Sequence, residues 1–245
     1  MVAQTRHRRS GELPAAVLLD ALGTLVCLDR PFEHLADELA RRGAPVGLDA
    51  AATALGEEMR FYRAHHDRAV DRLALEAMRD DCARVLRTAL PPAAAALEHE
   101  EVRAAMLGAL RFEAFPEVAG ALGDLRAGGH PLVVVSNWDV SLHDVLGATG
   151  LAPLVDATLT SAEEGVAKPA SGLFHRALAR VGRGPHQAVH AGDSLEADVA
   201  GAAGAGIAAV LVDREDRLEA PPGVPRVTSL AALPPLLRGQ GTGGP

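Results

Sequence analysis

Apolar residues fall along this chain in two rhythms. Short unbroken runs occur at 15–19 (AAVLL), 132–136 (LVVVS), 187–193 (QAVHAGD) and 208–212 (AAVLV), with a weaker one at 157–160 (ATLT). Runs of this length, rich in β-branched residues and without polar alternation, predict strands covered on both faces. Between them the apolar positions recur at helical spacing. Pro116 suits the first turn of a helix that ends at Gly128-Gly129. Asp139 can cap a helix to about Gly150, and Ser171 one to Val181. A further helix is predicted at about 195–205. Strands alternating with helices imply right-handed crossovers and a parallel sheet, so the predicted class is α/β.

The rhythm changes between Pro31 and Phe112. Residues 32–43 (FEHLADELARRG) place Phe32, Leu35 and Leu39 at helical spacing and end in Arg41, Arg42 and Gly43. Helices follow at about 49–66, at about 69–90, broken by Pro91-Pro92, and at about 94–110. No strand is read in this stretch, so 31–112 is expected to be one helical insertion. The α/β core is then 14–30 with 113–238. Residues 1–13 read as a disordered lead-in and the Gly-rich 239–245 as a flexible tail.

Composition narrows the class. The chain has 245 residues, 48% of them hydrophobic, enough for a core domain plus an insert. A net charge of −8 argues against the basic footprint of a nucleic-acid binder. Cys27 and Cys82 offer neither a disulfide framework nor metal-ligand spacing and read as buried free thiols of a cytoplasmic protein. No apolar run reaches the roughly 18 residues of a membrane span, and the basic N-terminus lacks the apolar stretch of a secretory signal.

The candidate chemistry sits at strand ends. Asp20 closes the first strand, where open α/β sheets bind ligands, and the chain then turns through Gly23 and Thr24. Ser136 and Asn137 end the LVVVS strand, where a hydroxyl and main-chain N–H groups can hold phosphoryl oxygens. Lys168 is the only lysine; the other 23 of the 24 Lys plus Arg are arginines, so a compact ammonium is favoured at this position. Asp193 and Asp198, in GDSLEAD, offer the hard oxygens that suit Mg2+.

In this order, DALGT, SN, KP and GDSLEAD resemble the four motifs of the haloacid dehalogenase-like superfamily, over roughly 15–214. The resemblance implies a Rossmann-like core whose helical insert is a C1-type cap. It implies Asp20 as nucleophile, Lys168 steadying nucleophile and phosphoryl charge, and phosphoryl contacts from Gly23, Thr24, Ser136 and Asn137. Mg2+ would be held by Asp20, the Leu22 carbonyl and Asp193, with Asp198 completing the acidic set from further out. The expected partner is a small phosphorylated metabolite, with no nucleic acid or membrane, and the chain a monomer or homodimer.

One position departs. Most phosphatases of the superfamily read DxDxT, and Leu22 stands where the second Asp protonates the leaving oxygen and activates water. Three readings follow. The first is a phosphatase with a substitute acid–base from FYRAHHD, 61–67, in which His65 and His66 titrate in the right range. The second is a 2-haloacid dehalogenase, whose DAYGTL is similar to DALGTL and whose halide leaves without a proton. Against it stand Asp193, Phe174 in place of an expected Tyr, and no Arg between Gly43 and Met59. A phosphonoacetaldehyde hydrolase would need a cap lysine, which the chain lacks. The third is a non-catalytic Mg2+- or ligand-binding protein. Trp138 either lines the entrance or packs under the cap. His190 reads as a satisfied core histidine, His143 and His175 as helix-surface residues.

Overall fold

The computed structural model describes residues 15–240. The expected lead-in 1–13, and 241–245 of the expected tail, lie outside them. Gly239 and Gln240 are the end of a helix rather than of a tail.

A six-stranded sheet forms the core. Its strands are β1 (Ala16–Leu19), β4 (Leu132–Ser136), β5 (Ala157–Thr160), β6 (Ala188–Gly192), β7 (Ala208–Val212) and β8 (Arg226–Val227). They lie in the order β5-β4-β1-β6-β7-β8, every pair parallel. This is the Rossmann-like α/β fold expected from the alternating elements. The runs lack polar alternation because both faces are covered. Val17 and Leu19 join Leu132 and Val134 in one apolar layer, while Ala16 and Leu18 join Val133 and Val135 in the other. The edge strand β8, only two residues long, has no run to betray it.

Two more short strands were not read from the sequence. β2 (Val26–Leu28) and β3 (Phe112–Ala114) pair antiparallel, with Leu28 opposite Phe112. Between them lie α1 (Pro31–Arg41), α2 (Leu48–His65), α3 (Arg72–Ala89), α4 (Pro92–Ala95) and α5 (His99–Ala109), which close on an apolar core of their own around Leu35, Leu55, Met78 and Leu86. Phe112, placed at the end of the expected insertion, belongs to the ribbon.

Local chemistry sets the element ends. α3 starts at Arg72 because Asp71 caps it, accepting from Ala74 N at 2.8 Å. The single helix expected at 94–110 is two, because a capping box at Glu98 and Glu101 restarts the chain. After β3 come α6 (Val118–Ala127), α7 (Leu142–Ala148), α8 (Ser161–Glu164) and α9 (Ser171–Arg180). Asp139 does not cap α7: Ser141 holds that position, and Asp139 accepts from Ser141 N at 2.6 Å. Ser171 is the first residue of α9 rather than its cap. The helix expected at 195–205 is a wide π-type turn, 195–200, running into α10 (Gly201–Gly204); α11 (Leu233–Gln240) ends the described chain. Cys82 is buried but Cys27 only half-buried. Among the described residues no helix is long and apolar enough to cross a membrane.

Candidate active site

Parallel register brings the strand ends together. Leu19 of β1 stands opposite Val134 of β4 on one side and Ala191 of β6 on the other. The residues that follow each strand therefore meet at one edge of the sheet, where ligands of open α/β folds bind. Asp20 N donates to Ala191 O at 3.0 Å, which fixes the carboxylate's starting point.

Asp20 is buried. Its Oδ1 accepts from Ser136 Oγ at 2.9 Å and from Lys168 Nζ at 2.6 Å, while Oδ2 accepts no hydrogen bond from the described residues. Burial raises its pKa even against the neighbouring ammonium of Lys168. Lys168 is itself buried and bridges to Asp198 Oδ1, also at 2.6 Å. Burial works against its charge, but Asp20 and Asp198 outweigh it and hold its pKa up.

The Asn137 side chain holds the loop that carries Lys168. Its side-chain amide donates to Lys168 O and accepts from Lys168 N, both at 2.8 Å, so it positions the lysine's main chain.

Asp198 has no oxygen to spare. Oδ1 receives Lys168 and His190 Nε2, the latter at 2.8 Å, and Oδ2 receives Ser194 N at 3.0 Å. Burial opposes its charge, yet Lys168 and His190 hold its pKa below the ordinary carboxylate range. It anchors the lysine rather than facing a ligand. His190 is a core histidine as read, with its ring edge-on to Phe174 at 5.0 Å, but it is satisfied on one nitrogen only; Nδ1 finds no partner among the described residues. Phe174 is wholly buried in the apolar layer that holds Ala16 and Leu18.

Asp193 has its pKa pushed up to about 7, first by burial and then by repulsion from Asp20 and Asp198. One oxygen from each of these three carboxylates lies within 4.8 Å of the other two. Three carboxylates against one ammonium leave excess negative charge in a largely buried space. That donor set fits a hard divalent cation. Gly23 is required beside it: at φ 78° a side chain is strained, and a Cβ would overlap the Asp193 carboxylate, 2.7 Å from its Cγ.

Two other residues of the expected site make no side-chain hydrogen bond to Asp20, Lys168, Asp193 or Asp198 among the described residues. Thr24 is fully buried, and its hydroxyl finds no partner among the described residues. His65 bonds Phe61 O at 2.7 Å within its own helix and stacks on the Phe61 ring at 4.2 Å. His66 is buried, with Nε2 3.1 Å from Ser161 Oγ, and its ring lines the cavity described next.

Between the helical body and the sheet edge lies a cavity of about 550 Å³. Leu22 and Asn137, the neighbours of Asp20 and Ser136, line its end nearest the nucleophile. Trp138 lines this cavity and packs against Phe112 of the ribbon, ring centres 5.2 Å apart.

One residue group was missed by sequence reasoning. Arg214 donates to Gly23 O at 3.1 Å and Thr24 O at 2.5 Å, pairs with Glu117 at 2.8 Å and lies 3.4 Å over the Phe115 ring. It clamps the turn that carries Leu22 and Gly23. No motif marks it, because its partners are remote in sequence.

Comparisons with known proteins give the family and the fold. Residues 14–206 match the family described as haloacid dehalogenase-like hydrolase. A phosphoserine phosphatase of Thermus thermophilus is 37% identical over 146 residues, 58% of each chain, so the match spans under two thirds of that relative's length. A glyceraldehyde 3-phosphate phosphatase of Methanopyrus kandleri is 30% identical over 210 residues, 81% of this chain and 84% of that protein. Among solved structures, a 2-haloacid dehalogenase of Pseudomonas syringae pv. Tomato is similar in fold, with a TM-score of 0.65 at 24% identity over 93% of this chain and all of that one.

Proposed function

The chain belongs to the haloacid dehalogenase-like hydrolases, and on that premise we propose that it is a Mg2+-dependent phosphatase of a small phosphorylated compound. The observation that carries this reading is the buried Asp20–Lys168–Asp198 chain with Asp193 beside it. A dehalogenating carboxylate has no use for a third acid at this point, whereas a phosphoryl dianion needs cationic neutralisation. Mg2+ would be held by Asp20, Asp193 and the Leu22 carbonyl. When bound, it supplies the positive charge that shields the phosphoryl oxygens from the carboxylates.

Within this reading each residue has a task. Asp20 attacks phosphorus through Oδ2, the oxygen left free when Ser136 and Lys168 hold Oδ1. Lys168, anchored by Asp198 and Asn137, keeps the nucleophile ionised and faces the developing charge. The helices 31–109 act as the cap, carried on the β2–β3 ribbon, and form the roof of the cavity.

The named relatives favour phosphoester hydrolysis, and Leu22 keeps dehalogenation as the second reading, since a halide departs without a proton. Arg63 and Arg79 on the cavity wall supply the cations that Gly43–Met59 lacks. The test is phosphate release from p-nitrophenyl phosphate, with Mg2+ or EDTA, by wild type and Asp20→Asn, beside chloride release from 2-chloropropionate. Mg2+- and Asp20-dependent phosphate release is expected. Asp20-dependent chloride release without phosphate release would overturn the reading.

A further inference from the structure

We propose that the leaving group this site accepts is aromatic, so that the substrate is an aryl phosphomonoester rather than the ester of a sugar, amino acid or other aliphatic alcohol. The inference rests on the phosphatase reading above and specifies its substrate class.

Two independent observations lead to it. The first is the wall of the cavity. Leu22, Met78, Met106, Leu110, Phe112 and Trp138 line it. The Phe112 and Trp138 rings are inclined by 55°, an angled aromatic surface against which a flat ring can pack edge or face. The methionines adapt their shape to such a ring. Most polar groups in the lining are committed within the protein, Arg79 to Glu76 and Asp144 to Arg72 among them, while Arg63 makes no ion pair among the described residues. Tyr62 donates to Asp139 at 2.8 Å, and both nitrogens of His66 face oxygens of the protein. The hydroxyls or ammonium of an aliphatic metabolite would lose water there and find few partners.

The second observation is chemical. Leu22 removes the acid that would protonate a departing oxygen, and its side chain, 38% exposed, adds an apolar surface at that same point. An aliphatic alkoxide needs that proton, because its alcohol is about as weak an acid as water. A phenol ionises near pH ~10, so a phenolate departs largely without help.

The step balances without an added acid. Asp20 Oδ2 forms a bond to phosphorus as the bond from phosphorus to the aryl oxygen breaks, its electron pair leaving on the phenolate. The phenolate takes a proton from solvent. Water then attacks the aspartyl phosphate, releasing inorganic phosphate and restoring the Asp20 carboxylate.

Aryl phosphates are intrinsically more labile, so binding and turnover are measured separately. Calorimetric titration of Asp20→Asn, with Mg2+, compares 1-naphthyl phosphate with phosphoserine and glycerol 3-phosphate. The naphthyl ester is expected to bind about tenfold or more tightly. In wild type its kcat/KM should exceed that of the alkyl esters by about 10²-fold or more. Leu22→Asp should narrow that ratio by raising alkyl turnover. Leu110→Gln should lower naphthyl turnover by about tenfold. Equal or tighter binding of phosphoserine, with Mg2+-dependent release of its phosphate, would overturn the substrate class and leave the phosphatase standing. Absence of Asp20-dependent phosphate release from every ester would overturn both.

Discussion

At the scale of single residues, the site is a problem of charge in a small space. Asp20, Asp193 and Asp198 crowd one ammonium, and the strain falls on Asp193, whose pKa of about 7 lies well above its ordinary 3.8. A raised folded-state pKa means that the folded chain holds the proton more tightly than the unfolded one. The stabilisation from this group is complete below pH 3.8 and is lost as the pH rises through about 7. A cation held by Asp20 and Asp193 competes with that proton. The gain in Tm on adding Mg2+ to metal-free protein should therefore be small at mildly acid pH and grow as the pH rises through about 7. Asp193→Asn should abolish the gain and make the metal-free protein less sensitive to pH. Thermal melts in EDTA and in Mg2+ across that range decide it; a gain independent of pH, or one that survives Asp193→Asn, would sink the assignment of Asp193 to the cation.

At the scale of elements, the turn after β1 shows what a sequence exposes and what it hides. Asp20, Lys168 and Asp193 were legible because each follows a strand or sits in a short motif whose residue types match one chemistry. Gly23 was legible as a turn glycine, although its reason, the carboxylate that a Cβ would overlap, belongs to the fold. Arg214 was not legible: it lies 190 residues beyond the carbonyls it binds, in a chain where arginine is the ordinary cation. Asn137 was placed in the site, but its side-chain bonds to Lys168 were not read, since they cross between separate loops. The strand pair β2–β3 escaped because three-residue strands carry no period. If Arg214 holds the turn, Arg214→Met, which keeps the stem and removes the fork, should leave two carbonyls and Glu117 without their partner. The expected cost is about 1–3 kcal/mol, with a fall in kcat. Arg214→Lys should not restore either, because one ammonium cannot reproduce bonds to Gly23 O, Thr24 O and Glu117 together. Wild-type Tm and kcat in Arg214→Lys would show that the clamp is dispensable.

At the scale of the whole molecule, two apolar cores meet across a mostly polar seam. The helical body joins the sheet domain through the narrow β2–β3 ribbon. Across the cavity the two are tied by Tyr62 to Asp139, His66 and Asp67 to Ser161, Ala69 O to Val140 N, and Arg72 to Asp144. Polar ties of this kind contribute little net stability, the exposed ion pair least of all. They do set the distance between roof and nucleophile. Relative motion is the ordinary expectation for two cores joined by few polar contacts. Loosening the seam should then act on substrate capture more than on folding. Arg72→Ala combined with Tyr62→Phe is expected to lower Tm only modestly, because neither the core around Leu55 and Met78 nor the sheet layers are touched. The same variant should raise KM for a phosphomonoester more than it lowers kcat, because Asp20, Ser136 and Lys168 stay bonded on the sheet side of the seam. It should also speed proteolysis at the connections flanking the ribbon, 29–30 and 110–111. If instead kcat collapses at unchanged KM, the seam contributes directly to the reacting geometry and the helical body is part of the catalytic apparatus rather than a roof over it.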